Sequence, residues 1–158
     1  MTSHIKKTAM AAAIALAASP AVAETVSVSA AYPETVISAL QDLGYKASLS
    51  TDSYGDPKVT TASNGWNTTI YFYGCIDNEA CDSLQFSIAL DTDGSISVSS
   101  VNSWNLENLI GTAFIDDEDD AVMQHYMGIV DGMSRSVFER NFKEWNAAAN
   151  EFIDFIGW

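Results

Sequence analysis

The C-terminal part of the chain carries an apolar stripe that constrains the fold more than any other feature. Its members recur at steps of four and three residues: Phe138, Phe142, Trp145, Ala149, Phe152 and Ile156. This spacing predicts one long amphipathic helix. Ser134 is a suitable N-cap, and Ser136 with Glu139 also has the capping-box spacing. A stripe this wide must bury itself against a second apolar surface, which the rest of the chain has to supply.

That second surface is predicted in the middle of the chain, where apolar and polar residues alternate. Between Ser83 and Asp91 every second residue is apolar, which is typical of an antiparallel strand with one buried face. Turns rich in Asp, Asn and Gly separate this strand from others. In chain order, the other strands are expected at residues 46–50, 57–61 and 66–73, around Ile96 and Val98, and on both sides of the acidic segment Asp116–Asp120.

Two shorter helices complete the predicted architecture. One begins near Pro33, repeats apolar residues at helical spacing and stops at Gly44. The other is expected from Asn102 to Leu109, after the fifth strand. The predicted order is α-β-β-β-β-β-α-β-β-α. The fold class is therefore α+β, with a two-layer arrangement in which helices cover an antiparallel sheet.

Residues 1–23 predict a secretory signal rather than part of the fold. Lys6 and Lys7 precede an apolar run from Thr8 to Ala18, and small residues lead up to Ala23. The run is shorter than the roughly 20 residues that a transmembrane helix needs. We expect cleavage after Ala23, a single domain over residues 24–158, a periplasmic or secreted location in a bacterium, and no membrane insertion after cleavage. A retained N-terminal anchor helix is the alternative.

The charge of the chain excludes some partners. Asp and Glu number 21 against 7 for Lys and Arg, which gives a formal net charge of -14. Such a surface repels phosphate backbones, so no nucleic-acid partner is expected. It also disfavours docking on anionic lipid.

The two cysteines, Cys75 and Cys81, are predicted to form a disulfide. An exported protein meets oxidising conditions, and five residues separate this pair. The bridge would close the loop between two strands and contribute roughly 2.4 kcal/mol through loop entropy. A redox-active pair or a zinc site is less favoured, because redox pairs usually stand two residues apart at a helix start and zinc needs further ligands.

No catalytic motif is found in the sequence, and the protein is expected not to be an enzyme and to need no cofactor or metal. Gly-x-Ser-x-Gly, phosphate-binding glycine loops and His-Glu-x-x-His are all missing. Two ion sites stay open as alternatives. Met123, His125 and Met127 would share one face of a strand and suit Cu(I), and the Asp116–Asp120 tip could hold a cation.

A wider pattern of residues resembles a known family. The pattern comprises Gly74, Cys75, Cys81, Ser83–Phe86, Val101–Asn105, Gly111, Ala113, Asp116, Gly132 and Trp145. From Tyr32 to Trp158 it resembles the YbjN family, whose members are described as regulators of bacterial sensory transduction. The resemblance implies a fold similar to type III secretion chaperones, which bind extended polypeptide segments, frequently as dimers, and have no known catalytic centre.

Asn102, Trp104 and Asn105 of this pattern are the candidate site. In the structural interpretation, the two amides cap the central helix and pin it to the sheet. In the binding interpretation, the three residues line a groove, where the amides bond a peptide backbone and the indole covers an apolar side chain. Trp66, Tyr71 and Tyr73 would extend that groove if their strand lies at a sheet edge.

The function expected from these features is that of an exported, non-enzymatic binding or regulatory module of the YbjN type. It would engage a protein partner, or a second copy of itself as a homodimer, through its sheet and helices. A periplasmic sensor or carrier of a small ligand or metal is the alternative.

Overall fold

A computed structural model describes residues 28–158, so the predicted signal at residues 1–23 lies outside the described residues. Three helices and six strands make up the fold. In chain order they are α1 (Pro33–Asp42), β1 (Ala47–Thr51), β2 (Pro57–Ser63), β3 (Trp66–Tyr73), β4 (Ser83–Leu90), α2 (Val98–Glu107), β5 (Thr112–Ile115), β6 (Ala121–Gly128) and α3 (Arg135–Ile156).

The strands form one antiparallel sheet in the order β1-β2-β3-β4-β6-β5. β6 inserts between β4 and β5, so β1 and β5 are the two edges. The predicted α+β class, with helices packed on an antiparallel sheet, is confirmed.

One predicted strand is wrong. Four strands precede α2, not five, because Val98 begins the helix and Ile96 lies in the loop before it. The Ser97 hydroxyl caps α2 by accepting a hydrogen bond from the Ser100 N–H at 3.2 Å. A capped helix start satisfies N–H groups that a short strand would leave unpaired. α2 consequently begins before Asn102 and ends before Leu109.

The core lies between the sheet and α3, as the apolar stripe predicted. Phe138, Phe142, Trp145 and Phe152 are completely buried. On the facing strand β4, Phe86 contacts Phe142 and Trp145, with ring centroids 5.7 and 5.8 Å apart. Ser134 is the N-cap of α3, and Gly157 ends the helix in the left-handed region with φ of 72°.

The three helices lie on the same side of the sheet. α1 lies against β1 and β2, α2 against β5, and α3 against β6. The inward residues of each central strand are buried, whereas the alternate residues are mostly half-buried or exposed. The sheet therefore has a covered face and an open face. In residues 28–158, no helix is both long and apolar enough to span a membrane.

Candidate functional site

Trp104 lies inside the protein and fastens α2 to its surroundings. The side chain is 2% exposed, and its indole N–H donates a hydrogen bond to the Gly111 carbonyl at 3.0 Å. Its ring contacts Phe152 and Phe155 of α3, with centroids 5.2 and 5.7 Å apart. A buried indole bonded in this way holds the connection between α2 and β5 against α3.

Asn105 bonds the edge strand β5 through both ends of its amide. Its Oδ1 accepts from the Ala113 N–H at 2.8 Å, and its Nδ2 donates to the Ala113 carbonyl at 2.9 Å. Both backbone groups belong to a strand at the edge of the sheet. The side chain therefore takes the place that a neighbouring strand would occupy at this residue.

Asn102, the third residue of the candidate site, does not anchor α2 in this way. The Asn102 side chain is exposed and makes no hydrogen bond within the part of the chain that the structure describes. Asn108, just after α2, instead provides the helix end, since its backbone N–H and its Nδ2 both bond the Trp104 carbonyl at 3.0 Å. Trp104 and Asn105 thus act as positioning residues for the α2–β5 connection, and a binding role for Asn102 stays a prediction.

The connection that these residues position forms one wall of a groove. Leu106 is 87% exposed and Leu109 is fully exposed, and Leu109, predicted as the last residue of the helix, lies beyond its end. The groove has a volume of about 370 Å³. One wall is Glu107, Asn108, Leu109 and Ile110, and the other is Glu144, Ala147, Ala148 and Glu151 of α3. We call this the α2–α3 groove.

The lining of the α2–α3 groove combines apolar side chains with an acidic rim. Leu109 and Ile110 face two alanines of α3, whose small side chains leave room for a guest residue. Three glutamates surround this apolar patch. An exposed leucine beside a concave apolar surface suits a protein interaction site, and the carboxylates favour a guest with basic groups.

The strand that carries the aromatic residues Trp66, Tyr71 and Tyr73 is not at an edge of the sheet. Trp66, Tyr71 and Tyr73 belong to β3, which pairs with β2 on one side and with β4 on the other. The expectation that they extend a groove at a sheet edge is wrong. Trp66 packs against Trp158, with ring centroids 5.0 Å apart, and so helps to close the C-terminal end of the fold.

Cys75 and Cys81 stand at disulfide distance in the loop between β3 and β4. The loop between them is also tied to the β1–β2 turn, because the Asn78 side chain donates to the Tyr54 carbonyl at 3.1 Å and to the Asp56 carboxylate at 2.8 Å. Oxidation of the pair in the cell remains a prediction. Its position between two adjacent strands fits a structural bridge.

The two ion-site hypotheses rest on residues that have other contacts. Met123 and Met127 are buried in the core on the covered face of β6. Burial lowers the pKa of His125 between them, while the Glu144 carboxylate acts in the opposite direction. In the acidic tip, Asp116 Oδ1 accepts from the N–H groups of Glu118 and Asp120, which is a turn contact. Within residues 28–158, no group of three or more His, Cys, Asp or Glu side chains could hold a metal.

Comparison with known proteins connects this arrangement to a family. The YbjN family model, described as "Putative bacterial sensory transduction regulator", matches residues 32–158. The crystal structure of YbjN from E. coli, titled "a putative transcription regulator", has a TM-score of 0.57 at 14% identity and covers 82% of this chain and 92% of that chain.

A second solved structure is the Yersinia pestis type III secretion chaperone SycH in complex with a stable fragment of YscM2. It has a TM-score of 0.44 at 13% identity and covers 72% of this chain and 92% of that chain. At these identities the likeness concerns the fold. A comparison with curated proteins found no match. Because the family model spans most of the sequence, the chain belongs to the YbjN family.

Proposed function

We propose that this protein is a non-enzymatic binding module that holds a protein partner in the α2–α3 groove. The observation that carries the proposal is the full exposure of Leu109 beside that groove. The α2–β5 connection that presents it is fixed by the buried Trp104 indole and by the paired Asn105 amide. A backbone segment that is already held in place loses little entropy when a partner covers the side chain it carries.

The chemistry of the groove indicates the kind of partner. An amphipathic segment would place one apolar side chain over Ala147 and Ala148 and basic side chains near the three glutamates of the rim. A second copy of the chain is a poorer fit, because it would bring an identical acidic rim to the same place. The ionisable side chains that line the groove are three glutamates, and no His, Cys or Lys of the described residues lines it with them.

Site-specific photo-crosslinking tests the groove. A benzophenone amino acid at Leu109 or Ala147 should crosslink one defined protein in living cells, whereas the same probe at the exposed Gln41 on α1 should not. Leu109→Ser, combined with the probe at Ala147, should reduce the product severalfold. Equal yields at Gln41, or no product at either groove position, would refute the proposal. A crosslink between two copies would replace the foreign partner with a homodimer.

We further infer that the protein is exported and cleaved after Ala23. The features that support export are the basic start and apolar run of residues 1–23 and the cysteine pair. Intact mass measurement of the protein from a cell-envelope fraction tests this inference. The expected mass is that of residues 24–158 less two hydrogen atoms for the disulfide. A full-length mass with two free thiols would contradict both parts.

A further inference from the structure

The open face of the sheet is almost free of charge. It is formed by the strand residues that alternate with buried ones such as Val59, Ile70 and Phe86. In the six described strands these outward residues include one formal charge, Lys58, and no carboxylate, although the chain contains 21 Asp and Glu. The acidic residues of the described part lie in loops and on helices. The open face is therefore chemically distinct from the rest of the surface.

A continuous row of hydroxyl and amide side chains crosses this face. Strand register aligns one outward residue from each strand, and we call the set the hydroxyl row. From one edge to the other its members are Ser48, Thr60, Thr69, Ser87, Gln124 and Thr112. Neighbouring strands are about 4.8 Å apart, so the row extends over roughly 24 Å perpendicular to the strands.

A parallel row carries aromatic rings. Two residues farther along the central strands, register aligns Tyr71, Gln85 and Tyr126. Tyr73 adjoins Tyr71 on the same face, with ring centroids 6.5 Å apart. We call Tyr71, Tyr73 and Tyr126 the tyrosine row. Tyr71 and Tyr126 lie about 7 Å from the hydroxyl row, the rise of two strand residues, and Tyr73 lies about 7 Å farther along β3.

Polar contacts hold the two rows in place. Gln85 lies between Tyr71 and Tyr126, and its amide donates to the amide oxygen of Gln124 in the hydroxyl row. The Tyr126 hydroxyl donates to Ser83 Oγ at 2.8 Å. Partial burial, followed by the neighbouring Tyr71 and the acidic β1–β2 turn, raises the pKa of Tyr73. A phenol is already uncharged at neutral pH at its ordinary pKa, and this rise in pKa keeps Tyr73 uncharged over a wider pH range.

The pairing of the rows indicates a ligand that is flat, rich in hydroxyl groups and uncharged. Hydroxyls and amides both donate and accept hydrogen bonds. Aromatic faces carry partial negative charge and attract the C–H groups of a sugar ring. Anionic polymers would be repelled by the net charge of -14. The centre of a homodimer interface is typically more apolar than a row of hydroxyl and amide side chains.

We propose that the open face binds an uncharged glycan chain, which lies across the strands along the hydroxyl row and stacks on the tyrosine row. The open face and the α2–α3 groove are on opposite sides of the sheet, so this binding is independent of the protein partner. The proposal gives the molecule two attachments, one to a polysaccharide and one to a protein.

A depletion assay tests the proposal. The disulfide-bonded protein is mixed with cellulose, chitin or an insoluble β-1,3-glucan at physiological salt, with alginate beads as the anionic comparison. At least one uncharged glycan should remove the protein from solution, and alginate should not. No depletion by any uncharged glycan, or equal depletion by alginate, would overturn the proposal.

Variants locate the binding surface. Tyr126→Ala should weaken binding by roughly two- to tenfold, the range expected of one aromatic contact, and Tyr126→Phe should largely retain it. Ser87→Glu should abolish it, and Thr112→Glu, at the exposed end of the row, repeats the test if Ser87→Glu does not fold. Leu109→Ser in the α2–α3 groove is the matched control and should bind normally.

Two results would show that the open face of the sheet does not bind the glycan. Unchanged glycan binding by both glutamate variants would place the glycan elsewhere and overturn the proposal. A wild-type dimer in sedimentation velocity that dissociates in the glutamate variants would also overturn it, because the open face would then be covered by a second copy. Absence of any crosslink from probes at both Leu109 and Ala147, together with normal glycan binding, would refute the proposed groove alone.

Discussion

Replacing Asn105 with alanine should destabilise the fold, and replacing Asn102 should not. Asn105→Ala removes two hydrogen bonds to Ala113, of 2.8 and 2.9 Å. Each such bond contributes about 0.5–1.5 kcal/mol net, so the expected loss is about 1–3 kcal/mol. The side chain of Asn102 has no hydrogen bond in the described residues. Both changes occur within α2, where alanine gains about 0.6 kcal/mol of helix propensity over asparagine.

The difference between the two variants isolates the contribution of the hydrogen bonds, because the gain in helix propensity cancels. Urea unfolding followed by circular dichroism measures it, with an expected slope of about 1–3 kcal/mol per molar. The urea midpoint of Asn105→Ala should fall below that of Asn102→Ala, and the Ala113 amide should exchange its hydrogen faster. Equal midpoints would refute the assignment of Asn105 to the β5 edge, and so would a larger loss for Asn102→Ala.

Three further predictions concern stability. Burial lowers the pKa of His125 in the folded state. The stability that depends on neutral His125 should therefore be full above the unfolded pKa of about 6.5 and should decline as the pH falls through the lower folded pKa. His125→Gln should lessen the fall in urea midpoint between pH 7.5 and 5.5, and an unchanged fall would contradict this. Reduction of Cys75 and Cys81, or their joint replacement by serine, should cost roughly 2 kcal/mol by the same unfolding measurement, and no change would exclude a stabilising bridge. Gly111→Ala should lower the free energy of unfolding by about 1–3 kcal/mol, because residue 111 has φ of 82° and a Cβ there would lie 2.5 Å from Met123 Sδ. A variant as stable as the wild type would show that both the backbone strain and the crowding are relieved.

Local patterns in the sequence were sufficient to predict most of the fold. The alternation between Ser83 and Asp91 and the stripe from Phe138 to Ile156 each follow from burial of one face. The structure buries both as expected, except that Ile156 at the end of the stripe is only half-buried. The start of α2 differs from the prediction because Ile96 and Val98 alternate with polar residues and so indicate a strand, whereas Ser97 is a helix N-cap. An alternation of two apolar residues is too short to decide between these structures.

The candidate surfaces depend on information that a single strand or helix does not contain. Leu109 follows the end of α2 rather than lying on its inner face, so its exposure depends on where the helix stops. The hydroxyl row exists because β6 pairs with β4 and not with β1, an arrangement set by tertiary packing. Helical spacing alone could not decide whether Trp104 lines a groove or occupies the core, since both positions suit an indole.

The two hydrogen bonds between the Asn105 side chain and Ala113 of β5 also limit how copies of this molecule could join edge to edge. Growth of a fibre by strand addition requires each molecule to offer two free edges, one at either end of its sheet. Here Asn105 obstructs β5, and β1 at the opposite edge has no neighbouring strand among the described residues. Pairing through β1 would therefore stop at a closed pair related by a two-fold axis, and loss of Asn105 would remove the barrier to a longer polymer.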